Sequence, residues 1–378
     1  MTPVYLDCNA TTPLLPEVVD AMLPYLREHF GNPSSGHVYG VRARTAVERA
    51  RQQVAELLGS AADEILFTSG GTEACNLALR GVTEALFERR HLIASCVEHP
   101  AVAEPCRRLQ RDGWRVDWIG VDHEGRVRVD ALSEALEPQT ALVTVMHANN
   151  ETGVLQPVSE IAARARRVGV LVYTDAAQSA GKVFVDVNKL GVDLLSIAGH
   201  KLHAPKGVGA LYVRSGTPLR PLLLGAGHER GLRPGTENVA SIVGLGVACE
   251  LARRDMRHRF ERMQAARLRL WRRLKAAVSG LELHGHPSER LPNTLNVRFP
   301  RVRGSALLAA TPQVAASTGS ACHAGGEAPS AILLAMGLSA EQALGAIRLS
   351  VGIMTTDVDV DQAALALSDA WRRCSTSA

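Results

Sequence analysis

A cysteine with almost side-chain-free neighbours stands in the stretch STGSACHAGGEAPS, residues 317–330, at Cys322. Free cysteines usually pack away like small aliphatic groups. Ser, Gly and Ala on both sides offer nothing to bury this thiol, which suits a group that moves and reacts. The stretch also reads as a plain small-residue turn. Three other places carry comparable chemistry. In FTSGGTEACNLAL a strand pattern runs into Ser69-Gly70-Gly71-Thr72 and then a helix. Backbone N–H groups at a helix start, with Gly flexibility and a hydroxyl, make a phosphate cradle, although ordinary strand-to-helix turns look alike. In VYTDAAQSAGK, Asp175 ends an apolar run. A carboxylate there needs a cationic partner unless it only caps a helix. In DLLSIAGHKLHAPKG, Lys201 follows another apolar run, where an amine must be neutral or covalently used unless it snorkels to solvent.

A phosphate cradle, a buried acid and a buried amine at the ends of neighbouring strands together describe a pyridoxal phosphate site, with Lys201 as Schiff base and Asp175 keeping the pyridine nitrogen protonated. The elements that must position them follow from periodicity. Between about residues 60 and 215, short β-branched runs (EILFTS, HLIAS, ALVTVM, VLVYTDA, DLLSI, GALYV) alternate with helical patterns. That alternation predicts a mostly parallel sheet covered by helices, with its ligand at the strands' C-terminal ends. After residue 250 a basic helix, TLNVRF, the Cys322 loop, AILLAMG and IRLSVG predict a smaller α+β unit. The division expected is a large α/β domain over 15–250 and a small domain made of 1–14 and 251–378. No repeat or low-complexity segment is evident.

The motif series YLDCNATTP, GNPSS, FTSGGTE, VEH, ANNETG, TDAAQ, GHK, GALYV, RPGTEN, STGSACHAG and IRLSVG, in unbroken order from about residue 4 to 360, resembles the class V aminotransferases, and within them the cysteine desulfurase and selenocysteine lyase group. The resemblance implies the fold type I architecture of pyridoxal-phosphate-dependent transferases, like aspartate aminotransferase, and an enzyme that works as a homodimer. It implies that Lys201 carries the cofactor, Asp175 pairs with its pyridinium, His99 stacks on the ring and Gln178 contacts the phenolic oxygen. By the same likeness Gly71, Thr72 and His200 hold the phosphate, Thr236 arrives from a second subunit, and Asn150 and Arg348 meet the substrate carboxylate. A guanidinium fork suits that last task better than a lysine. Cys322 is then the nucleophile that takes sulfur from L-cysteine as a persulfide and leaves L-alanine, for delivery to an acceptor protein. An unperturbed thiol is only about 3% thiolate at pH 7, so a lowered pKa, helped by His323 and a charged cofactor, is expected. One departure stands out: Ala198 occupies a place where desulfurases commonly carry a phosphate-binding serine, a hydroxyl contact of about 1 kcal/mol.

The chain of 378 residues is 46% hydrophobic and 21% charged, enough for large cores and against dominant disorder. Its N-terminus has no basic flank leading into an apolar run, and no stretch nears the roughly 18 apolar residues of a membrane span, so a cytoplasmic protein is expected. Seven scattered cysteines without a CxxC pair predict thiols in a reducing compartment and no metal site. Cys8, Cys75, Cys96, Cys106 and Cys249 are expected to pack structurally, and Cys374 to be exposed and idle. A net charge of +4 is too mild to imply nucleic acid. Residues 252–275 carry ten Arg and Lys against Asp255 and Glu261. Met256, Phe260, Met263, Leu268, Trp271 and Leu274 recur there at helical spacing, so the arginines are expected on the wet side of an amphipathic helix. Two alternatives stay open. A selenocysteine lyase is favoured by CHAG and Ala198 but opposed by the compact spacing from Cys322 to Pro329-Ser330 and by Pro100 after His99. A sulfur-relay or nucleic-acid-associated scaffold would use the basic helix and be colourless. Iron–sulfur cluster assembly, tRNA thiolation and DNA sulfur modification are all possible destinations of the sulfur.

Overall fold

The computed structural model describes residues 2–319 and 328–375. Its strands are Val4–Tyr5 (β1), Ile65–Thr68 (β2), His91–Ser95 (β3), Arg115–Ile119 (β4), Thr140–Thr144 (β5), Leu171–Asp175 (β6), Leu194–Ala198 (β7), Gly209–Val213 (β8), Glu282–His284 (β9), Thr294–Arg298 (β10), Val314–Ala315 (β11) and Ala346–Ser350 (β12). Seven of them form one sheet in the order β2-β8-β7-β6-β5-β3-β4. All pairs are parallel except those of β8, which runs against both β7 and β2. Two reversals cancel, so β2 points the same way as β7. Every strand but β8 therefore ends at one edge, and there the chain places Gly70-Gly71, His99, Asn150, Asp175 and Lys201.

Helices on both faces explain why β3, β5 and β7 are buried at every residue rather than alternately. One face packs Ile93, Val143, Val172 and Leu195 with the helices Val38–Leu58 and Val239–Arg254; the other packs Leu92, Leu142 and Leu194 with Gly71–Ala85 and Pro100–Arg111. β4 was not among the sequence-expected strands, because only its alternation, RVDWI, marks it as an edge.

A second sheet, β12-β10-β9, is antiparallel and lies under the helices Met256–Ala277 and Asp357–Ser375. Its core holds Leu270, Leu274, Val297, Phe299, Leu349, Leu367 and Trp371. The first residues tie the two parts together. β1 pairs with β11 and Asp7 bridges to Ser350, while the Thr12 N–H and hydroxyl both donate to the His200 carbonyl at 2.9 Å. Ile332, Leu333 and Met336, from the AILLAMG segment, pack into the core of the large sheet.

The basic helix differs from expectation in two respects. It breaks at Asp255, where one helix ends at Arg254 and the next begins at Met256. Its buried face is Met256, Arg259, Met263, Ala266, Arg267, Leu270 and Leu274, whereas Phe260, Leu268 and Trp271 are only half-buried. Arg259 and Arg267 are thus not on the wet side, because the helix packs against two bodies along its length and its buried stripe shifts between them. Among the described residues no helix is long and apolar enough to cross a membrane.

The outer edge of β2 is closed by a side chain. Glu229 accepts the Phe67 N–H at 2.8 Å and takes both Nη atoms of Arg51 at 2.7 and 2.8 Å, with both side chains nearly fully buried. Glu229 and Arg230 hold φ of 46° and 59°, which non-glycine residues adopt only when the surroundings over-determine them. Glu229→Ala removes the buried carboxylate from Arg51, leaving it Glu48 at 3.2 Å and the Ile65 carbonyl, and strands the Phe67 N–H; it should cost about 2–3 kcal/mol, read as a lower midpoint in urea unfolding. An unchanged midpoint would show that the pair does not secure this edge.

Candidate active site

A cavity of about 230 Å3 opens at the strand-end edge and is lined by Gly71, Thr72, Cys75, His99, Asn150, Asp175, Gln178, Ala198, His200 and Lys201, among others. Eight of the sequence-predicted residues thus meet in one place: Gly71, Thr72, His99, Asn150, Asp175, Gln178, His200 and Lys201. Each stands at the end of a strand, on the turn that follows it or, for Gly71 and Thr72, at the start of the next helix.

The turn after β2 reverses through Gly70 at φ 151°, a conformation closed to side chains, and delivers the start of the helix Gly71–Ala85. No side chain caps that helix, so its first N–H groups point at the cavity as donors for an anion. A Cβ on Gly71 would lie 3.2 Å from the Ala198 Cβ. The missing hydroxyl at 198 is accordingly a missing contact at the cavity wall, and the small pair Gly71 and Ala198 keeps the wall thin.

Asp175 is the last residue of β6 and is nearly buried. Among the described residues both hydrogen bonds to its carboxylate, from the Ala177 N–H at 2.9 Å and the Ser196 hydroxyl at 3.0 Å, end on Oδ1. Oδ2 is left for a cation in the cavity. Ser196 itself meets the Tyr173 hydroxyl at 2.8 Å. These two residues were missed from sequence. Their signal is the two-residue period that puts Tyr173 and Asp175 on one face, but the register pairing Asp175 with Ser196 is set only by folding.

Lys201 ends the short turn Gly199–Lys201. Its Nζ donates to the Ala10 carbonyl at 2.7 Å and to the Asn9 carbonyl. Burial, with Arg348 adding and Asp175 and Asp7 opposing, pulls its amine down to about 8. An amine so placed is partly neutral near physiological pH and able to attack a carbonyl carbon. His99 caps the helix Pro100–Arg111, its Nδ1 accepting the Ala101 N–H at 3.1 Å. The proton of the neutral ring therefore sits on Nε2. Burial, opposed by Asp175 and reinforced by Lys201, lowers the His99 pKa from its ordinary value. His200 is brought down to about 4 by burial and by Lys201 and Lys206. Both imidazoles are neutral where the amine works.

Arg348, on β12, stands beside the cavity rather than in its wall. Its Nη1 donates to the Asn150 carbonyl at 3.2 Å and its Nη2 to Asp7 at 2.7 Å. Asp7, unforeseen from sequence, is the counter-ion that a substrate carboxylate would have to replace or share. Among the described residues the Asn150 Oδ1 and the Arg348 Nε are buried without a hydrogen-bond partner, as expected of groups that wait for a ligand. Thr236 is exposed on a loop outside its own chain's cavity. Arg233 of that loop grips Glu73, in the first turn of the Gly71 helix, at 2.8 Å. Cys322 lies outside the described residues. Of the other cysteines Cys8, Cys75, Cys106 and Cys249 are buried; Cys374, expected to be exposed, is half-buried on the last helix, as is Cys96.

The donor set fits one kind of occupant: a flat ring with a protonatable nitrogen facing Asp175, a carbonyl within reach of Lys201 and an anionic group at the helix start. Residues 4–363 match the model of the family described as aminotransferase class-V. A cysteine desulfurase IscS of Dictyoglomus turgidum is 46% identical over 95% of this chain and 92% of its own. A solved structure titled NifS-like protein superposes with a TM-score of 0.92 at 37% identity, covering 97% of this chain and 99% of its own. Another, titled SspA in complex with cysteine, gives a TM-score of 0.83 at 35% identity over 93% of this chain and 99% of its own.

Burial also holds His147, bonded to the Ser179 hydroxyl at 2.8 Å, down at about 4. The unfolded chain takes up its proton near pH 6.5 and the folded one only near 4, so His147 weakens the fold as pH falls through that window. His147→Gln should therefore lose less stability than wild type between pH 7 and pH 4.5 in urea titrations. Equal losses would remove His147 from the account.

Proposed function

The chain belongs to the aminotransferase class-V family, and we propose that within it this protein is a pyridoxal-phosphate-dependent cysteine desulfurase. It converts L-cysteine to L-alanine and leaves the sulfur as a persulfide on Cys322 for an acceptor protein. The observation that carries this reading is the meeting of Lys201, Asp175, His99 and Gln178 with an uncapped helix start in one cavity. Bound pyridoxal phosphate supplies an electron sink for the substrate's α-carbon.

The chain's own residues do the rest. Lys201 holds the cofactor through its amine, and afterwards is a base of suitable strength, near 8, for moving the α-proton. Asp175 pairs with the pyridine nitrogen, its Oδ1 already pinned so that only Oδ2 turns to the ring. His99 lays a neutral, apolar-faced imidazole against it. The N–H groups of Gly71 and Thr72 and the side chains of Thr72 and His200 hold the phosphate, with Thr236 serving the cavity of the other copy in a homodimer. Asn150 and Arg348 orient the substrate carboxylate. Cys322 attacks the substrate sulfur: a bond forms between the two sulfurs, the carbon–sulfur bond breaks, and the proton balance closes as one thiol and cysteine give one persulfide and alanine. The alternative substrate, L-selenocysteine, is kept in view by Ala198, which changes the cavity wall.

Two measurements test this. Borohydride treatment of the yellow holoprotein should fix the cofactor to a peptide containing Lys201. Label on Lys182 or Lys206 instead would overturn the assignment. Cys322→Ser should keep the visible band and its response to added cysteine, yet lose alanine production by on the order of a thousandfold or more. Full activity from cysteine in that variant would sink the role of Cys322, and retained turnover of selenocysteine alone would favour the lyase.

A further inference from the structure

Lys182 is nearly fully buried, yet no carboxylate pairs with it among the described residues. Its Nζ donates to two neutral oxygens, Asn9 Oδ1 at 3.1 Å and Gln178 Oε1 at 3.0 Å. Gly181, at φ 74°, turns the chain inward there, and a Cβ on it would strike Leu202 at 2.2 Å. Burial, aided by Lys201 and Arg348 and opposed by Cys8, pulls the amine down to about 7. A chain that buries an amine at such cost without a counter-ion needs it for something other than stability.

Its two acceptors share one property. A primary amide is nearly symmetric in shape, and only its partners decide which end is oxygen and which is nitrogen. The charged amine has only donors, and the neutral amine has two N–H groups and one lone pair; with the Gln178 Nε2 end taken by the Asn9 carbonyl, the end turned to Lys182 is the oxygen. Facing Lys182, Gln178 must present its carbonyl. Its Nε2 then donates one proton to the Asn9 carbonyl at 3.0 Å, and the second is left for the cavity that Gln178 lines. The same contact turns the Asn9 carbonyl end inward, where Asn293 also donates to it at 3.0 Å, so that Asn9 Nδ2 reaches Thr294 at 2.9 Å and the Asn150 carbonyl at 3.2 Å.

We propose that Lys182 is a positioning residue, which fixes the Gln178 amide so that an N–H donor, never a carbonyl, faces the cofactor's phenolic oxygen. This rests on the reading that the cavity holds pyridoxal phosphate. A donor on that oxygen draws away electron density that would otherwise hold the neighbouring imine proton. Loss of the donor therefore makes the bound cofactor harder to deprotonate.

The test is a spectrophotometric pH titration of the visible band of the holoprotein, without substrate. Gln178→Leu should raise the midpoint by roughly one pH unit, the worth of one hydrogen bond to a charged acceptor. Lys182→Met should raise it in the same direction, and the double variant should move no further than Gln178→Leu alone. Lys182→Gln, which keeps an N–H donor in less volume, should stay close to wild type and serves also if the Met variant does not fold. A Lys182→Met midpoint at the wild-type value while Gln178→Leu shifts would overturn the role of Lys182 and leave the cofactor assignment intact. So would a Lys182→Gln midpoint displaced as far as that of Gln178→Leu. A wild-type protein that binds no pyridoxal phosphate would overturn both.

Discussion

Asn9 spends nearly every hydrogen-bonding group it has at one buried point, and both halves of the molecule depend on it. Its N–H donates to the Ser350 hydroxyl at 3.0 Å and its Nδ2 to Thr294, which joins the N-terminal segment to the small sheet. Its carbonyl accepts from Gln178 and Lys201 and its Oδ1 from Lys182, which joins the same residue to the end of the large sheet, while Asn293, just before β10, donates to Oδ1 from the small-sheet side. Buried polar groups are tolerated only when satisfied, so this residue dictates how the two sheets face each other. The cavity lies where they meet, and its amine and amides are aimed by the same contacts.

The electrostatics of the site follow from the burial that this arrangement forces. Lys201, Lys182 and Arg348 are gathered near the carboxylates of Asp175 and Asp7, with Glu151 beside Arg348. Desolvation and mutual repulsion bring both amines towards neutrality, whereas Arg348 answers with a direct ion pair to Asp7. Beside His99 in the chain, burial pushes the Glu98 carboxyl up to about 8; Oε1 takes the Ser95 hydroxyl and the Met146 N–H, and Oε2 has no partner among the described residues. A neutral acid behind a neutral imidazole leaves Asp175 as the charge that the cavity offers to a ring nitrogen.

The buried thiols show by contrast what a reactive cysteine needs. Burial raises Cys8 to about 11 and Cys249 to about 12, and it holds Cys75 well above its ordinary value although that thiol borders the cavity and lies 3.8 Å from the Ser196 hydroxyl. Thiols held protonated in this way make poor nucleophiles. The reaction proposed here calls instead for a thiol with small neighbours in sequence, as Cys322 has.

The sheet was legible because buried parallel strands are written as short, mostly apolar and β-branched runs, and the chemistry was legible because Asp175 and Lys201 stand at or just past the ends of such runs. The motifs around them carried the same message, and eight of the eleven residues they named line one cavity, while Arg348 stands beside it, Thr236 lies outside it and Cys322 is outside the described residues. Edge strand β4, broken helix 252–275 and the two arginines buried on it were less visible, since their pattern depends on what packs beside them. Asp7, Ser196, Tyr173 and Lys182 could not be placed at all from the chain alone. A lone lysine four residues after Gln178 looks like any surface lysine until Asn9, far away in sequence, closes over it. The sequence by itself determined which groups are available and at which strand ends they stand, because that is local. Which oxygen each amine faces, and so which way each amide is turned, was decided only by the tertiary structure, because hydrogen-bond partners so distant along the chain meet only when it is folded.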